Sequence, residues 1–240
     1  MSLPKIVDFP TYTTTIPSTR KEVLFRPFLV KEQKMMMIAY ESQDMSSIVR
    51  STLETVSACL LDKDVRIENL PTYDIDYLFT QIRSKSVGEN TEMSVTCQEC
   101  ETSNPFKVNL DEIKVTGEAP GEKIIPINDD YQLRLRHPSY KSIANRQMFS
   151  SSLTATEMLF TSISSCLDAI LTDEEQVLFD DESDEEIITF IDNLPTALFN
   201  QIQEYANDVP KMRYEDTLTC ENKECGKPIN IALEGIQDFF

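Results

Sequence analysis

Glycine and histidine are scarce in this sequence, which limits the chemistry that the chain can carry. There are 5 glycines and a single histidine among 240 residues, and no Walker loop, G-x-G-x-x-G, G-x-S-x-G or H-E-x-x-H pattern occurs. The histidine, His137, precedes a proline at the end of a predicted strand, a position typical of a turn. Carboxylates are plentiful but spread over predicted solvated faces. We therefore expect that the protein is not an enzyme.

Long apolar runs are also missing. No stretch approaches the roughly 20 apolar residues of a membrane span, and residues 1–5 lack the apolar core of a signal peptide. We therefore expect a protein of the cytosol that does not bind membranes. In that compartment thiols stay reduced, so disulfide bonds are not expected.

Positive charge is in short supply. The chain has 22 Lys and Arg against 41 Asp and Glu, which gives a formal net charge of −19. Such a surface repels phosphate, so binding to nucleic acid is not expected. Residues 173–186 are especially acidic, with 9 carboxylates in 14 positions. We interpret this stretch as a solvated loop, with attraction of a basic partner as the alternative.

Two cysteine pairs are the most informative feature that is present. Cys97 and Cys100 are separated by two residues, Cys220 and Cys225 by four, and each pair lies between two short β-like runs. A hairpin tip with two thiolates is half of a tetrahedral zinc site. The pattern predicts one structural zinc per chain, bound by all four thiolates.

Other interpretations of these pairs are metal-free thiols, a redox dithiol or chance. A redox dithiol usually opens a helix, whose N-terminus lowers a thiol pKa; here a polar turn and another strand follow. The wider spacing of Cys220 and Cys225 is the less typical of the two. The remaining cysteines, Cys59 and Cys166, lie on apolar faces of predicted helices and are expected to be core thiols.

The order hairpin, helices, cysteine pair occurs twice along the chain. Asn69 lies 28 residues before Cys97, and Asn193 lies 27 residues before Cys220; each of these asparagines begins an Asn-Leu-Pro sequence. Such self-similarity indicates an internal duplication. The first copy is predicted to contain strands at 12–16 and 22–26 and helices at 30–41, from 44 and after 71. The second is predicted to contain strands at 124–127 and 131–136, a helix that includes Leu159, Ile163, Cys166, Leu167 and Ile170, and a helix after 195.

These patterns predict an α+β fold with an internally duplicated hairpin–helices–knuckle unit. The two halves would be related by a pseudo-twofold and joined by a zinc-ribbon-like site of four cysteines. The predicted organisation is an extended arm at 1–10, a first repeat at 11–116, and a second repeat at 122–236 with an acidic insertion at 172–187.

Several stretches resemble the baseplate hub assembly proteins of T4-like contractile-tailed bacteriophages. The resemblance is carried by residues 3–6, 16–19, 25–32, 41–44, 70–79 and 83–89. The tail, 210–240, is similar to related baseplate proteins that carry a cysteine knuckle. Residues 19–21, Thr-Arg-Lys, depart from the Ser-Thr-Gly turn expected in that family.

The resemblance implies a non-enzymatic protein made late in infection in the cytoplasm of the bacterial host. It would act either as an assembly chaperone or as a retained component of the baseplate hub, and in the second case it would be found in the virion tail baseplate. Its partners would be other hub and tail proteins. The alternative is a zinc-ribbon regulator that binds the transcription or translation machinery of the host. A metal-dependent hydrolase would require an open metal site, which the cysteine pattern does not supply.

Overall fold

A computed structural model describes residues 9–117, 121–145 and 154–235. Within these ranges the chain is a mixed α+β protein with seven α-helices and several small antiparallel sheets. The predicted N-terminal arm at 1–10 lies outside the described residues except for its last two positions. The α+β class predicted from the sequence is confirmed.

The helices and strands are numbered in chain order. The helices are α1 (Val30–Ser42), α2 (Met45–Cys59), α3 (Thr72–Val87), α4 (Tyr140–Asn145), α5 (Ala155–Cys166), α6 (Asp184–Asp192) and α7 (Thr196–Asn207). The strands are β1 (Tyr12–Thr15), β2 (Glu22–Phe25), β3 (Asn90–Thr96), β4 (Ser103–Asn109), β5 (Lys114–Thr116), β6 (Glu122–Pro126), β7 (Gln132–Arg136), β8 (Leu167–Leu171), β9 (Gln176–Leu178), β10 (Lys211–Thr219) and β11 (Pro228–Glu234).

The chain divides into two compact units. The first comprises residues 1–67, 73–116 and 211–240, and the second comprises 68–72 and 117–210. This division differs from the boundaries of the sequence repeats, because the hairpin of β10 and β11 belongs to the first unit. The internal duplication therefore stays a prediction.

In the first unit, β1 and β2 form the predicted hairpin, paired from Tyr12 with Phe25 to Thr15 with Glu22. Its turn places Arg20 at φ 56°, in the left-handed region that favours glycine. Arg20 is therefore a bulky side chain at a position where a glycine would be less strained.

The three helices of this unit begin and end as their sequences predict. The Asp44 side chain caps α2 by accepting a 3.0 Å hydrogen bond from the Ser47 N–H. Helix α3 is followed by Gly88 at φ 129°. Its apolar face is buried, and the members of that face are Ile75, Leu78, Phe79 and Ile82.

A buried ion pair fixes the start of α1. Arg26 Nη2 donates to Glu32 Oε1 at 2.9 Å, and the Leu29 N–H donates to Glu32 Oε2 at 2.9 Å. The Glu32 side chain is only 3% exposed. Burial favours the neutral acid, but the hydrogen bonds from Arg26 and Leu29 outweigh it and lower the pKa of Glu32.

The rest of the first unit is built from two β-hairpins. Strands β3 and β4 form one, and β10 and β11 form the other, with β5 on the outer edge of β10. Inward side chains of these strands, together with Leu110 and Ile113 from the turn after β4, make a shared core of Phe106, Val108, Leu110, Ile113, Met212 and Ile231. This core brings together segments that are more than 100 residues apart.

The second unit is a four-stranded antiparallel sheet in the order β6-β7-β8-β9, packed with α5, α6 and α7. Strand β7 alternates between buried and more exposed side chains, and Leu133 and Leu135 are fully buried. Helix α7 buries Leu198, Ile202 and Tyr205, as its period predicts.

The predicted helix through Leu167 and Ile170 was wrong at its C-terminal end. Helix α5 ends at Cys166, and Leu167–Leu171 forms β8, which pairs with β7. Asp168 forms ion pairs with Arg134 and, at 2.9 Å, with Arg136, both on β7. These cross-strand contacts are remote in sequence and override the local helical period.

Residues 173–186 are largely exposed, as the interpretation as a solvated loop implies, but they do not form a loop. The stretch contains β9, a 3-10 turn with the buried Phe179, and the first turn of α6. Ser183 caps α6 by accepting from the Glu186 N–H, and Glu186 reaches back to the Ser183 N–H at 3.0 Å. Acidic residues in the first turn favour the helix because they face its positive end.

Candidate metal centre

The first cysteine turn closes the hairpin of β3 and β4. Beyond the last strand pair, Thr96 with Ser103, the Cys97 N–H donates to the Thr102 carbonyl at 2.9 Å. The Glu101 N–H donates back to the Cys97 carbonyl at 2.9 Å. Glu101 lies at φ 57°, so the chain reverses immediately after Cys100.

The second cysteine turn repeats this pattern on β10 and β11. The Cys220 N–H donates to the Lys227 carbonyl at 2.9 Å, which corresponds to the bond from Cys97 to Thr102. Gly226, at φ 55°, follows Cys225 as Glu101 follows Cys100. The two additional residues are accommodated by a turn in which the Cys225 and Gly226 N–H groups both donate to the Asn222 carbonyl at 2.9 Å.

The two turns bring all four predicted cysteines together. Cys97 Sγ lies 3.9 Å from Cys225 Sγ, and Cys100 Sγ lies 3.5 Å from Cys220 Sγ. All four sulfurs lie within 4.8 Å of one another. A tetrahedron with metal–sulfur bonds of about 2.3 Å has sulfur–sulfur edges of about 3.8 Å. The spacing of the donor atoms is therefore compatible with one tetrahedral ion.

Apolar side chains of the two hairpins pack against the cysteine cluster. Cys97 and Cys220 are buried and pack with Ile229, and the partly buried side chains of Val95 and Leu218 complete the cluster. Cys100 and Cys225 are half-buried. The first cysteine of each pair thus faces the core, and the second lies towards the surface.

Polar contacts also join the two turns. Asn104, which is 1% exposed, donates from Nδ2 to the Thr102 carbonyl at 2.7 Å, and its Oδ1 accepts from the Glu221 N–H at 2.7 Å. Lys227 Nζ forms a 2.6 Å ion pair with the Glu99 carboxylate. No sequence pattern predicts the two contacts between the hairpins, Asn104 with Glu221 and Lys227 with Glu99, because their partners are more than 100 residues apart.

The thiols of the cluster differ in acidity. The hydroxyl and backbone N–H of Thr102 stabilise the thiolate of Cys100 and lower its pKa to about 6. Burial raises the pKa of Cys220 to about 11. Because metal binding requires thiolates, an ion in this site would displace protons from the more basic sulfurs.

The donor set restricts the ion and its chemistry. Four tetrahedrally arranged sulfurs suit zinc or iron. Four thiolates fill the coordination shell of zinc and leave no position for water, as in structural rather than catalytic zinc sites. With zinc bound, the cluster would be a closed cross-link between the two hairpins.

The other candidate residues lie apart from this cluster in sequence and serve packing. Cys59 is a buried free thiol of α2, and burial raises its pKa to about 11. Cys166 is buried in the core of the second unit. His137, just after β7, is buried and stacks on Tyr205 with ring centroids 5.6 Å apart.

A family model described as T4 bacteriophage base plate protein matches residues 9–240, nearly the whole chain. The chain belongs to this family. The resemblance to a T4-like phage baseplate protein is therefore confirmed. Comparison with curated proteins and with solved structures gives no significant match.

Membership of the baseplate family supports a structural or assembly role for the chain. It implies contacts with other phage baseplate or tail proteins and a location in the virion tail. Proteins of this kind are typically structural. In the described ranges, no helix is long and apolar enough to cross a membrane.

Proposed function

We propose that this baseplate protein is a non-enzymatic assembly factor or structural component of the baseplate hub, folded around one structural zinc. The observation that carries the proposal is a baseplate-family chain whose four cysteines meet at the tips of two hairpins. The hub in particular is supported by the resemblance of the first 90 residues to hub assembly proteins. Its partners would be hub and tail proteins, not nucleic acid or membrane.

The zinc ligands would be Cys97, Cys100, Cys220 and Cys225. Two come from each hairpin, so the ion would connect strands whose sequences lie more than 100 residues apart. Metal binding of this kind contributes on the order of 10 kcal/mol to folding. The core between the hairpins is small, with six buried apolar side chains, and small cores are commonly stabilised by a metal or a disulfide.

The matching turns also support an ancestral duplication. In both turns the N–H of the first cysteine donates to a carbonyl across the hairpin. In both, the residue after the second cysteine has left-handed backbone angles. The repeats would run from 11 to 116 and from 122 to 236, with the acidic segment 172–187 inserted in the second. Each repeat would contribute one knuckle to the shared site.

The protein would be made in the cytoplasm of the bacterial host and join the baseplate there. A closed four-thiolate site has no open coordination position, which fits a scaffold better than a hydrolase. The net charge of −19 disfavours nucleic acid as a partner. We therefore propose that its binding partners are proteins of the growing hub.

The metal is tested by elemental mass spectrometry of protein purified without chelator. We expect one zinc per chain in the wild type, and loss of zinc together with a lower melting temperature in Cys97→Ser. Cys166→Ala removes a buried thiol outside the cluster and should keep its zinc. A wild type without bound metal, or a Cys97→Ser variant that keeps it, would rule out the proposed ligand set.

The hub role is tested by co-expression with each hub and tail protein of the phage, followed by affinity purification. We expect retention of at least one hub protein and no retention of tail-sheath or head proteins. Binding to host RNA polymerase or ribosomes instead would favour the regulator predicted as the alternative. A complete hub set with no bound member would contradict the assembly role.

A further inference from the structure

Helix α1 leaves an unusual amount of apolar surface exposed. Its buried side chains are Glu32, Met36 and Ala39, whereas Met37 and Ile38 are each 56% exposed. A surface helix normally confines its apolar residues to the face that packs on the core. Exposed apolar side chains clustered on one element are typical of an interaction surface.

A groove lies beside this helix, between α1 and α2. Its volume is about 390 Å³, and its apolar floor includes Met35, Ile38 and Ala39. On the other side of α1 is a second groove of about 400 Å³, lined in part by Met37 and by Val87, which is 62% exposed. Helix α1 therefore forms a ridge between two apolar depressions.

The rim of the first groove is cationic. Lys31, Lys34 and Arg50 line it, and none of the described residues that line it is acidic. This contrasts with the chain as a whole, in which acidic residues outnumber basic ones by almost two to one. Of the nearby carboxylates, Glu32 is buried against Arg26 and also pairs with Lys31 at 3.3 Å, and Asp44 caps α2. The two remaining cations of the rim are Lys34 and Arg50.

We infer that this groove binds an acidic amphipathic helix of another baseplate protein. Apolar residues at i, i+3 and i+4 of that helix would lie on the floor beside Met35 and Ile38. Its carboxylates would meet Lys34 and Arg50, which gives charge complementarity and orients the helix. The inference rests on the proposed assembly role and specifies the surface and the partner chemistry.

Charge and shape favour this occupant over two others. Nucleic acid would also meet the cationic rim, but its phosphates gain nothing from an apolar floor and are repelled by the net charge of −19. A second copy of the chain would bring another net charge of −19, which opposes self-association. An acidic helix presents both carboxylates and an apolar face.

The test is a fluorescence-anisotropy titration of the full chain with three labelled peptides of about 18 residues, or five helical turns. The first has a leucine stripe and glutamates elsewhere, the second replaces the glutamates by lysines, and the third replaces the leucines by serines. We expect saturable binding of the Glu/Leu peptide. The other two peptides should bind at least about tenfold more weakly than the Glu/Leu peptide.

Two variants locate the site. Lys34→Glu/Arg50→Glu should weaken the Glu/Leu peptide about tenfold or more, and Ile38→Gln should also weaken it. The matched control, Arg66→Glu/Lys114→Glu, changes the same number and kind of charges at exposed positions of the same unit and should bind like the wild type. Circular dichroism checks that all variants are folded.

Several outcomes would overturn the inference. The first is that the Glu/Leu peptide shows no saturable binding. The second is that this peptide binds the groove and control variants with equal affinity. The third is that the chain binds a single-stranded oligonucleotide more tightly than the peptide. Concentration-dependent dimerisation in sedimentation velocity that is lost in Lys34→Glu/Arg50→Glu would assign the groove to a second copy instead.

The failure of this inference is distinguishable from failure of the assembly role. If the control and groove variants both retain the hub protein in affinity purification, the assembly role stands and the groove is not its docking site. If wild-type chain binds the peptide but retains no hub protein, the groove stands and the hub role fails.

Discussion

Asn104 Oδ1 accepts a 2.7 Å hydrogen bond from the backbone N–H of Glu221, although 117 positions separate the two residues. The same side chain donates to the Thr102 carbonyl in its own hairpin. One buried amide thus connects the backbones of both cysteine turns. It fixes their relative position independently of any ion.

We expect Asn104→Ala to weaken zinc binding about 10- to 100-fold, since groups that orient ligands contribute on this scale. It should also lower the free energy of unfolding by about 1–3 kcal/mol, because a buried N–H and a carbonyl lose their partner. Competition with a chromogenic chelator and denaturant titration measure the two effects. Asn230→Ala, at an exposed position of β11, is the control. Equal affinities for the two variants would show that Asn104 does not position the turns.

The residue that follows the second cysteine of each pair allows a prediction about backbone strain to be tested at two equivalent positions. Glu101 and Gly226 are both left-handed, but only glycine adopts that region without cost. We expect Glu101→Gly to raise the free energy of unfolding by about 1 kcal/mol, and Gly226→Ala to lower it by a similar amount. Thermal denaturation of metal-loaded protein measures both.

Steric contacts and side-chain charge can be distinguished from backbone strain in this comparison. A Cβ at Gly226 would meet nothing within 4 Å, so Gly226→Ala changes backbone conformation alone. Glu101→Ala removes the charge of Glu101 but keeps a side chain in the left-handed region. A gain in Glu101→Ala as large as that in Glu101→Gly would attribute the effect to charge.

Removal of the metal should loosen the two cysteine hairpins before anything else. We expect a chelator to increase hydrogen exchange in β3, β4, β10 and β11, because the cross-link between them contributes on the order of 10 kcal/mol. The strands of the second unit, β6 to β9, should exchange as before. Mass-spectrometric hydrogen exchange with and without chelator measures this. A uniform increase over both units would contradict a local cross-link.

Asp74 makes stability depend on pH. It is fully buried, and burial raises its pKa to about 6 although the Ser18 N–H and hydroxyl donate to it. In the unfolded chain its pKa is about 3.9. The folded state therefore binds the proton more tightly, and the contribution to stability is fully present below about pH 4 and is lost as pH rises through about 6.

We expect Asp74→Asn to abolish this loss. Relative to wild type, its free energy of unfolding should rise between pH 4 and 6 by up to about 3 kcal/mol. Glu54→Gln, on the exposed face of α2, should follow the wild-type curve. Denaturant titrations at several pH values measure the difference. A constant difference between Asp74→Asn and wild type over this range would show that Asp74 does not titrate in it.

The sequence by itself determined the local elements. The hairpin of β1 and β2, the start of α2 at Asp44, the buried face of α3 and the alternation in β7 follow from caps, turns and periods that act within a few residues. The two cysteine turns belong to the same class, since each lies between two strands of one hairpin. Short-range geometry suffices for all of these.

Only the tertiary structure decided which segments meet. Residues 167–171 have a helical apolar period, yet they pair with β7 as a strand. The acidic stretch became ordered because β9 pairs with β8 and Phe179 is buried. The hairpin of β10 and β11 joined the first unit, where Asn104 meets Glu221. These outcomes depend on pairing and burial between residues distant in sequence, and no local pattern encodes the free energy of those contacts.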